Sequence, residues 1–567
     1  MKKNSYLVII AAVMSSLIIV SCNGLKKMDQ HIKDLGVTAT PNPLEVRGDT
    51  VEVTISGKFP PKYFAKKASV DATPVLVYSG GESKYKMQSY QGEQAAGNGA
   101  VIPYKLGKNF SYTDRVAFQT GMETSKLEIR MHGKQGSKEA DFAPVFLADG
   151  VITTPYLMKN DDKAIMSKDK FVRTLSYVND SAQINFDYNS SALKTAELKD
   201  LDIVNLTAFL QKAATDPKFV IKKIDFVGYA SPEGEMLLND NLATERSAAG
   251  KKAFGDIANN AKLTNAPDNL QVMSPKGEDW EGFRLAMEKS NIADRNIIIN
   301  VLKMTTDLTQ REAEIKNISK TYVEIQKDIF PSLRRCRIIV TYDMEGYSDE
   351  QLIQIGSTNP SAMTYEELMK AGSLVTDLSK QAAIYQAAAA KSDADYRASN
   401  NLGCIYYMQN KMSDAETQWK NAYGMKKCDE TSNNMGIVSR VKGDRAAAMT
   451  FFTEAGGAAE TSYNKGLIDI QKGDYSGAVS KMGSYKTFNS SLAKLLNKDN
   501  GSAKADIDAS NDTSAQADYL RAVIAARSND GSAVGTNLKS AVQKDASMKE
   551  KAMKDLEFRN HKDQLNF

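Results

Sequence analysis

The chain has 567 residues, 42% hydrophobic and 25% charged, which suits about three or four domains with buried cores and excludes wholesale disorder or a collagen-like repeat. Lys+Arg 73 against Asp+Glu 69 leaves a formal charge of +4, too near balance for nucleic acid to be the expected partner. The three histidines, His31, His132 and His561, lie far apart, which argues against histidine metal sites and against Ser-His or Cys-His catalysis.

Met1-Lys2-Lys3 precedes an apolar run from Tyr6 to Val20. That run is shorter than the roughly 20 residues a membrane span needs and suits the core of a signal peptide. It ends at Ile19-Val20-Ser21-Cys22, which resembles the lipobox of bacterial lipoproteins. The resemblance implies that residues 1–21 are removed and that Cys22 becomes an acylated N-terminus in the outer membrane. Each buried CH₂ of such an anchor adds about 0.8 kcal/mol. Residues 22–36 then read as a lipidated tether. Asn23-Gly24-Leu25-Lys26-Lys27 lacks the early acidic residues of surface-exported Bacteroidales lipoproteins, so the periplasmic leaflet is the expected location, with surface exposure as the alternative. Cys336, Cys404 and Cys428 remain; Cys404 and Cys428 either meet across a helical hairpin or stay separate thiols.

Residues 37–166 read as β-rich. Val51, Val53 and Ile55 alternate with Glu52, Thr54 and Ser56, the pattern of a half-buried strand. Val75-Leu76-Val77-Tyr78 runs into Gly80-Gly81, and Leu127, Ile129 and Met131 alternate with Glu128, Arg130 and His132. Short strands between Gly, Pro and Asn clusters suggest a β-sandwich-like region. Thr38-Ala39-Thr40-Pro41-Asn42-Pro43-Leu44 and Phe59-Pro60-Pro61-Lys62-Tyr63-Phe64 resemble a β-rich module of exported Bacteroidales proteins.

From Val172 to Asp343 strands and helices alternate, which predicts an α/β sandwich. Ile184-Asn185-Phe186-Asp187, Ile224-Asp225-Phe226-Val227 and Arg334 to Tyr342 read as strands. Ser190-Ser191 is placed to cap a helix carrying Leu193, Leu198, Leu201, Val204, Leu206, Phe209 and Leu210. Gly228-Tyr229-Ala230-Ser231-Pro232-Glu233-Gly234, then Asn239, Leu242 and Arg246, resembles the peptidoglycan-binding signature of OmpA-like C-terminal domains. Phe186-Asp187-Tyr188-Asn189 and Arg334-Arg335 fit that family's ends, with residues 275–331 as an insert. The resemblance implies a clamp in which an Asp and an Arg hold the zwitterionic end of diaminopimelate. Arg246 keeps the guanidinium, Ser231 stands where the family has its Asp, and Asn239 reads as a hydrogen-bonding residue at a loop or helix start. Loss of one partner of such a charge pair costs about 2–5 kcal/mol, so peptidoglycan is expected to bind weakly if at all. Glu233, two residues on, is close enough to reach back.

Residues 365–560 carry an arithmetic regularity. Gly403, Ala415, Trp419 and Ala422 return as Gly436, Ala448, Phe452 and Ala455, and again as Gly466, Ala478 and Met482. This resembles the tetratricopeptide repeat, whose period is about 34. The small residues let paired helices approach, and the large one is expected to plug the gap between repeats. Lys442-Gly443-Asp444 and Lys472-Gly473-Asp474 mark helix-to-helix turns. Ala371, Ala383 and Ala387 look like a degenerate first copy, Tyr519 to Ala541 like a terminal pair, and residues 499–516 like a flexible break. Such helix pairs leave a concave groove suited to a peptide or partner helix.

No phosphate loop, GxSxG elbow, HExxH or metal-spaced Cys cluster is present, and no cofactor, metal or catalytic residue is expected. The expected fold is multidomain α+β: a β-sandwich-like region, a central OmpA-like α/β sandwich and a C-terminal tetratricopeptide-like solenoid. The expected function is a non-enzymatic, lipid-anchored envelope scaffold that holds the outer membrane through Cys22 and an unidentified protein through its repeats. The alternative is an accessory lipoprotein subunit of an outer-membrane export, fimbrial or barrel-assembly machine.

Overall fold

The structure, a computed structural model, describes residues 23–264 and 266–566. Cys22 and the signal segment lie outside the described residues. The chain forms two compact units: residues up to Lys168 together with Ser392 onward, and Asp169–Lys391. No helix among the described residues is long and apolar enough to cross a membrane.

The first unit opens with helix α1 (Asn23–Gln30) and the strands β1 (Thr38–Thr40), β2 (Val46–Arg47), β3 (Thr50–Phe59), β4 (Ala68–Tyr78), β5 (Gly81–Lys84), β6 (Gln88–Gly92), β7 (Ala100–Ile102), β8 (Lys108–Ala117), β9 (Ser125–Gln135), β10 (Lys138–Asp141) and β11 (Val145–Gly150). β3 pairs with β1, β2 and β8, and a second sheet runs β10-β9-β4-β6-β7, with β11 on β9 and β5 on β4. Val51, Val53, Ile55, Leu127, Ile129 and Met131 all point into one core, as their alternation requires. His132 sits on the polar face, its Nδ1 2.7 Å from Asp141. Residues 23–36 are not a free tether. Leu25, Met28, Ile32 and Leu35, three and four residues apart, form an apolar stripe buried in the same core.

In the second unit β12 (Thr174–Asn185), β13 (Phe219–Gly228), β14 (Gln271–Met273) and β15 (Arg335–Glu345) form one sheet in the order β12-β15-β13-β14. Helices α2 (Leu201–Thr215) and α3 (Met236–Asn260) contribute Ile203, Leu206, Leu210, Phe254 and Ile257 to its core. The insert folds as α4 (Trp280–Lys289), α5 (Arg295–Met304), α6 (Leu308–Lys316) and α7 (Ser319–Asp328) around Phe283, Ile298, Ile325 and Phe330. The helix expected after Ser190-Ser191 starts at Leu201 instead. The physical reason is a competing use of its acidic residues: Glu197 accepts the Asn185 N–H (2.8 Å) and Asp202 the Gln183 N–H (3.0 Å) along β12. Ser191 turns its hydroxyl to Glu245 (2.8 Å).

Three further helices complete that unit, α8 (Asp349–Thr358), α9 (Tyr365–Leu374) and α10 (Leu378–Lys391). The degenerate first copy is therefore part of the central unit, and its register differs by one. Ala383 is exposed, whereas Gly372 faces the ring of Tyr385 and Ala388 is buried.

From Ser392 onward five hairpins follow: α11 (Tyr396–Met408) with α12 (Met412–Met425), α13 (Asp429–Val441) with α14 (Arg445–Glu454), α15 (Ala459–Lys472) with α16 (Tyr475–Met482), α17 (Phe488–Leu496) with α18 (Asn500–Ala509), and α19 (Ala515–Arg527) with α20 (Gly531–Lys544). Each large residue packs on the glycine of its own hairpin rather than between repeats. A Cβ added to Gly403 would fall 2.5 Å from Trp419 Cδ1, one on Gly436 2.4 Å from Phe452 Cε1, and one on Gly466 2.9 Å from Met482 Cγ. Residues 499–516 are not a flexible break, because most of them form α18. Asp499 caps that helix, Ser491 donates to the Ala503 carbonyl (2.7 Å), and Ala503 and Ile507 are buried. Ser491, Ala503 and Ile507 thus repeat the Gly436, Ala448, Phe452 spacing with a serine in the small position.

Gly436→Ala is expected to lose about 1–3 kcal/mol of unfolding free energy through the clash with Phe452. Gly424, exposed in α12 with open space around it, is the matched control: Gly424→Ala should be neutral or up to about 1 kcal/mol stabilising. Denaturant titration of both variants checks this.

Candidate functional site

The first helix of each hairpin is buried on two sides, and the second side explains the groove. In α11 every residue from Arg397 to Ile405 is buried, whereas α12 buries Ala415, Trp419 and Ala422. The partner helix covers one flank of α11. The other flank carries Asn400 and Asn401, and the equivalent flank of α13 carries Asn433 and Asn434, all at most 1% exposed. What covers them is the chain itself. Residues 158–168, which have no helix or strand of their own, run as an extended strap along these first helices.

Asparagine is suited to this because one amide carries an acceptor and two donors, matching the N–H and C=O of one extended residue. Asn489 accepts the Lys159 N–H (2.9 Å) and donates to the Lys159 carbonyl (2.8 Å). Asn464 does the same for Lys163 (2.8 and 3.0 Å), Asn434 for Ile165 (2.9 and 2.9 Å) and Asn401 for Ser167 (2.7 and 2.9 Å). Asn433 and Asn400 add a second donor to the Lys163 and Ile165 carbonyls, both at 2.9 Å. The amides also link to one another, Asn434 to Asn400 (2.8 Å) and Asn464 to Asn433 (3.0 Å). The strap runs in the direction opposite to the order of the hairpins, from α17 back to α11.

Side-chain anchors fix the register. Arg440 of α13 forms a two-pronged ion pair with Asp162, both side chains at most 1% exposed, and Tyr407 donates to the same carboxylate (3.1 Å). Burial works against the Arg440 charge, but the Asp162 carboxylate outweighs it and holds the guanidinium above its ordinary pKa. Asp161 receives Tyr463 (2.6 Å) and Asn489 (2.5 Å), and burial pushes its pKa up. Lys159 reaches Asp512 (2.6 Å) and lies over the Phe488 ring. The β-rich part is held to the hairpins beside the strap, by Arg47 on the Gly473 carbonyl (2.9 Å) and Asp49 on Arg445 (2.6 Å).

Helix pairs with a small-to-large seam, stacked so that their first helices share one face, are tetratricopeptide-like repeats. No protein-family profile matches the chain, and no curated protein matches it. Among solved structures it is similar to a tetratricopeptide repeat protein from Parabacteroides merdae ATCC 43184, at 14% identity and TM-score 0.28 over 37% of this chain and 91% of that one. It is also similar to Pseudomonas aeruginosa PilF, at 12% identity and TM-score 0.27 over 38% and 97%. The APC/C hetero-tetramer Cut9–Hcn1 shows 9% identity and TM-score 0.31 over 59% and 77%. The repeat assignment rests on the hairpins' own packing.

The ladder has a sequence signal that the small-residue pattern overlooked. Asn401, Asn434, Asn464 and Asn489 each stand two residues before Gly403, Gly436, Gly466 and Ser491. Their period equals that of the repeats, and a polar residue at a fixed place on a buried helix needs a partner. Nothing in 158–168 marks it as the occupant.

In the second unit Ser231, Asn239 and Arg246 do come together, around a cavity of about 20 Å³ shared with Tyr188, Glu233 and Leu242. That is room for about one water. Arg246, 1% exposed, donates to the backbone carbonyls of Tyr229 (2.9 Å), Ser190 (3.0 Å) and Asp187 (3.3 Å). Burial, with Arg334 nearby, pushes its pKa down to about 10. Ser231 donates to Glu233 (2.5 Å), which is paired with Arg334 (2.6 Å) in near-complete burial. Asn239 donates to Glu278 of the insert (2.8 Å), whose pKa burial raises. Glu312 of the insert accepts the Gly234 N–H (2.8 Å).

Cys336, Cys404 and Cys428 are free thiols, the first two buried. Cys404 faces Asn434 (3.4 Å), and burial pushes its pKa up to about 12. Among the described residues no group of three or more His, Cys, Asp or Glu side chains could hold a metal ion.

Asn434→Ala is expected to cost about 2–4 kcal/mol, through the lost hydrogen bonds to Ile165 and Asn400 and an unsatisfied Ile165 N–H. Amide exchange at residues 163–167 should rise with it. Arg440→Met should cost about 3–5 kcal/mol by leaving the buried Asp162 carboxylate without its cation. The double variant Asp162→Asn with Arg440→Met should cost less than the sum of the single changes, measured in a double-mutant cycle.

Proposed function

We propose that this protein is a non-enzymatic, lipid-anchored scaffold of the bacterial cell envelope. Cys22 is its attachment to the outer membrane and the helical repeats are its architectural frame. The observation that carries the reading is the asparagine ladder on the strap. It engages main-chain atoms of the strap and, through Asn489, the Asp161 carboxylate, which builds a rigid frame and presents no reacting group. The lipobox resemblance at Ile19-Val20-Ser21-Cys22 supports the anchor. Because the groove holds the strap, protein partners are expected on the outer faces of the repeats and on the β-rich part.

The central unit is an OmpA-like domain in this reading, supported by its signature string and its β12-β15-β13-β14 sheet. Its crevice favours weak or absent peptidoglycan binding. Arg246 is engaged by three backbone carbonyls, and the Glu233–Arg334 pair occupies the place of the clamp's charges. That filled crevice also favours the second reading, an accessory subunit of an outer-membrane export, fimbrial or barrel-assembly machine.

Two measurements test the proposal. Cys22→Ala should abolish labelling by fatty-acid analogues and release the protein from membranes, and persistent labelling would refute the anchor. The full chain, mixed with purified sacculi, should stay mostly in the supernatant. Firm pelleting that Arg246→Ala abolishes would instead restore the family clamp.

A further inference from the structure

β12 is an edge strand whose two halves are treated differently. Along its C-terminal half the outward N–H groups of Gln183 and Asn185 are capped by Asp202 and Glu197, side chains of the same unit. A bulge between Asn179 and Ala182 then shifts the register. N-terminal to it the alternation reverses. The Gly346 N–H bonds to the Arg173 carbonyl, so odd-numbered residues face β15 and Thr174, Ser176 and Val178 present their N–H and C=O outward.

Residues 172–178 are exposed without a break, including Val172 at 59%, Leu175 at 46%, Tyr177 at 41% and Val178 at 63%. Natural edges are normally blunted by charge, proline or a covering element, and here that protection covers the other half of the same strand. Tyr177 also ends an aromatic row across the sheet, stacked on Tyr342 (5.6 Å), which stacks on Phe219 (5.5 Å).

We infer that the open half of β12 pairs antiparallel with β12 of a second copy of this chain, about a two-fold axis through Ser176, joining the two four-stranded sheets into one. The window is self-complementary. Antiparallel pairing centred on Ser176 sets Thr174 opposite Val178 in both directions, with their outward N–H and C=O groups bonded to each other. Leu175 then faces Tyr177, and the partner's pair continues the aromatic row. Arg173 meets Asn179 and Val172 meets Asp180, so no like charges oppose. The bulge and the two capping carboxylates end the pairing on each side, which limits it to this short window and makes the dimer reversible.

The full chain, solubilised and followed by sedimentation velocity over a concentration series, should show a monomer–dimer equilibrium. Ser176→Pro removes a donor that points away from β15, so the internal ladder is kept, and it should weaken the dimer by roughly tenfold or more. Ser176→Ala, which loses the side-chain bond to Asp343 but keeps the N–H, should leave it unchanged. Register is read separately. Thr174→Cys and Val178→Cys chains, mixed and oxidised, should form a cross-linked pair between the two variants, because directly opposed Cα atoms at about 5.5 Å lie within disulfide reach. A chain that stays monomeric at every concentration, a dimer indifferent to Ser176→Pro, or Thr174→Cys and Val178→Cys chains that do not cross-link to each other would each overturn the inference.

Discussion

An extended segment laid along other elements must find partners for the main-chain N–H and C=O groups it turns towards them, and the strap meets that demand at Lys159, Lys163, Ile165 and Ser167 with asparagine side chains rather than with a sheet. Each unsatisfied buried group would cost about 1–3 kcal/mol. A strap with four residues gripped on both groups is therefore held along the groove by Asn401, Asn434, Asn464 and Asn489. The demand is reciprocal. Those asparagines sit on helices whose other flank is packed against Trp419, Phe452 and Met482, so without the strap they would face an empty groove. The hairpins, the strap and the β-rich part form one compact unit, although the 223 residues Asp169–Lys391 of the second unit lie between Lys168 and Ser392.

The ladder and the ion pair divide the work between them. Amide contacts to the main chain tolerate any side chain on the strap, so by themselves they would allow the segment to slip by two residues. The Arg440–Asp162 pair and the Tyr463–Asp161 contact remove that freedom, since a two-residue slip would leave charges buried without partners. Buried polar groups here specify an arrangement more than they add stability.

The same logic governs the central unit's crevice. A guanidinium removed from water requires acceptors, and the loop carbonyls of Asp187, Ser190 and Tyr229 surround Arg246. Ser231 donates to the Glu233 side chain, which folds back beside it and pairs with Arg334. Asn239 is drawn to Glu278, so the insert closes over the loop. Along the strap and in this crevice, Asn401, Asn434, Asn464, Asn489, Arg246 and Glu233 all find their partners within the chain.

Much of the fold was legible from local pattern. The alternation of Val51, Val53 and Ile55 determined a strand and its inward face, and the spacing of Gly403, Ala415 and Trp419 determined a hairpin seam, because both follow from backbone period and side-chain volume alone. The asparagines two residues before each small residue share the repeat's period as well, but a pattern built on side-chain volume passes over them. Composition misled at 499–516, where Asp, Ser, Ala and Gly read as a linker but Ser491, Ala503 and Ile507 reproduce the seam's geometry. It misled also at 23–36, whose four apolar residues needed the β-rich core to show their purpose. What tertiary structure alone decided is which segment fills the groove, and how Ser231, Glu233, Arg246 and Arg334 are partnered. Those outcomes depend on pairings across hundreds of residues, Asp162 with Arg440 and Glu233 with Arg334, for which no local period exists. The sequence by itself determined the elements and their faces; the folded chain determined which polar groups meet, because a hydrogen bond requires two partners and each stretch of sequence shows only one.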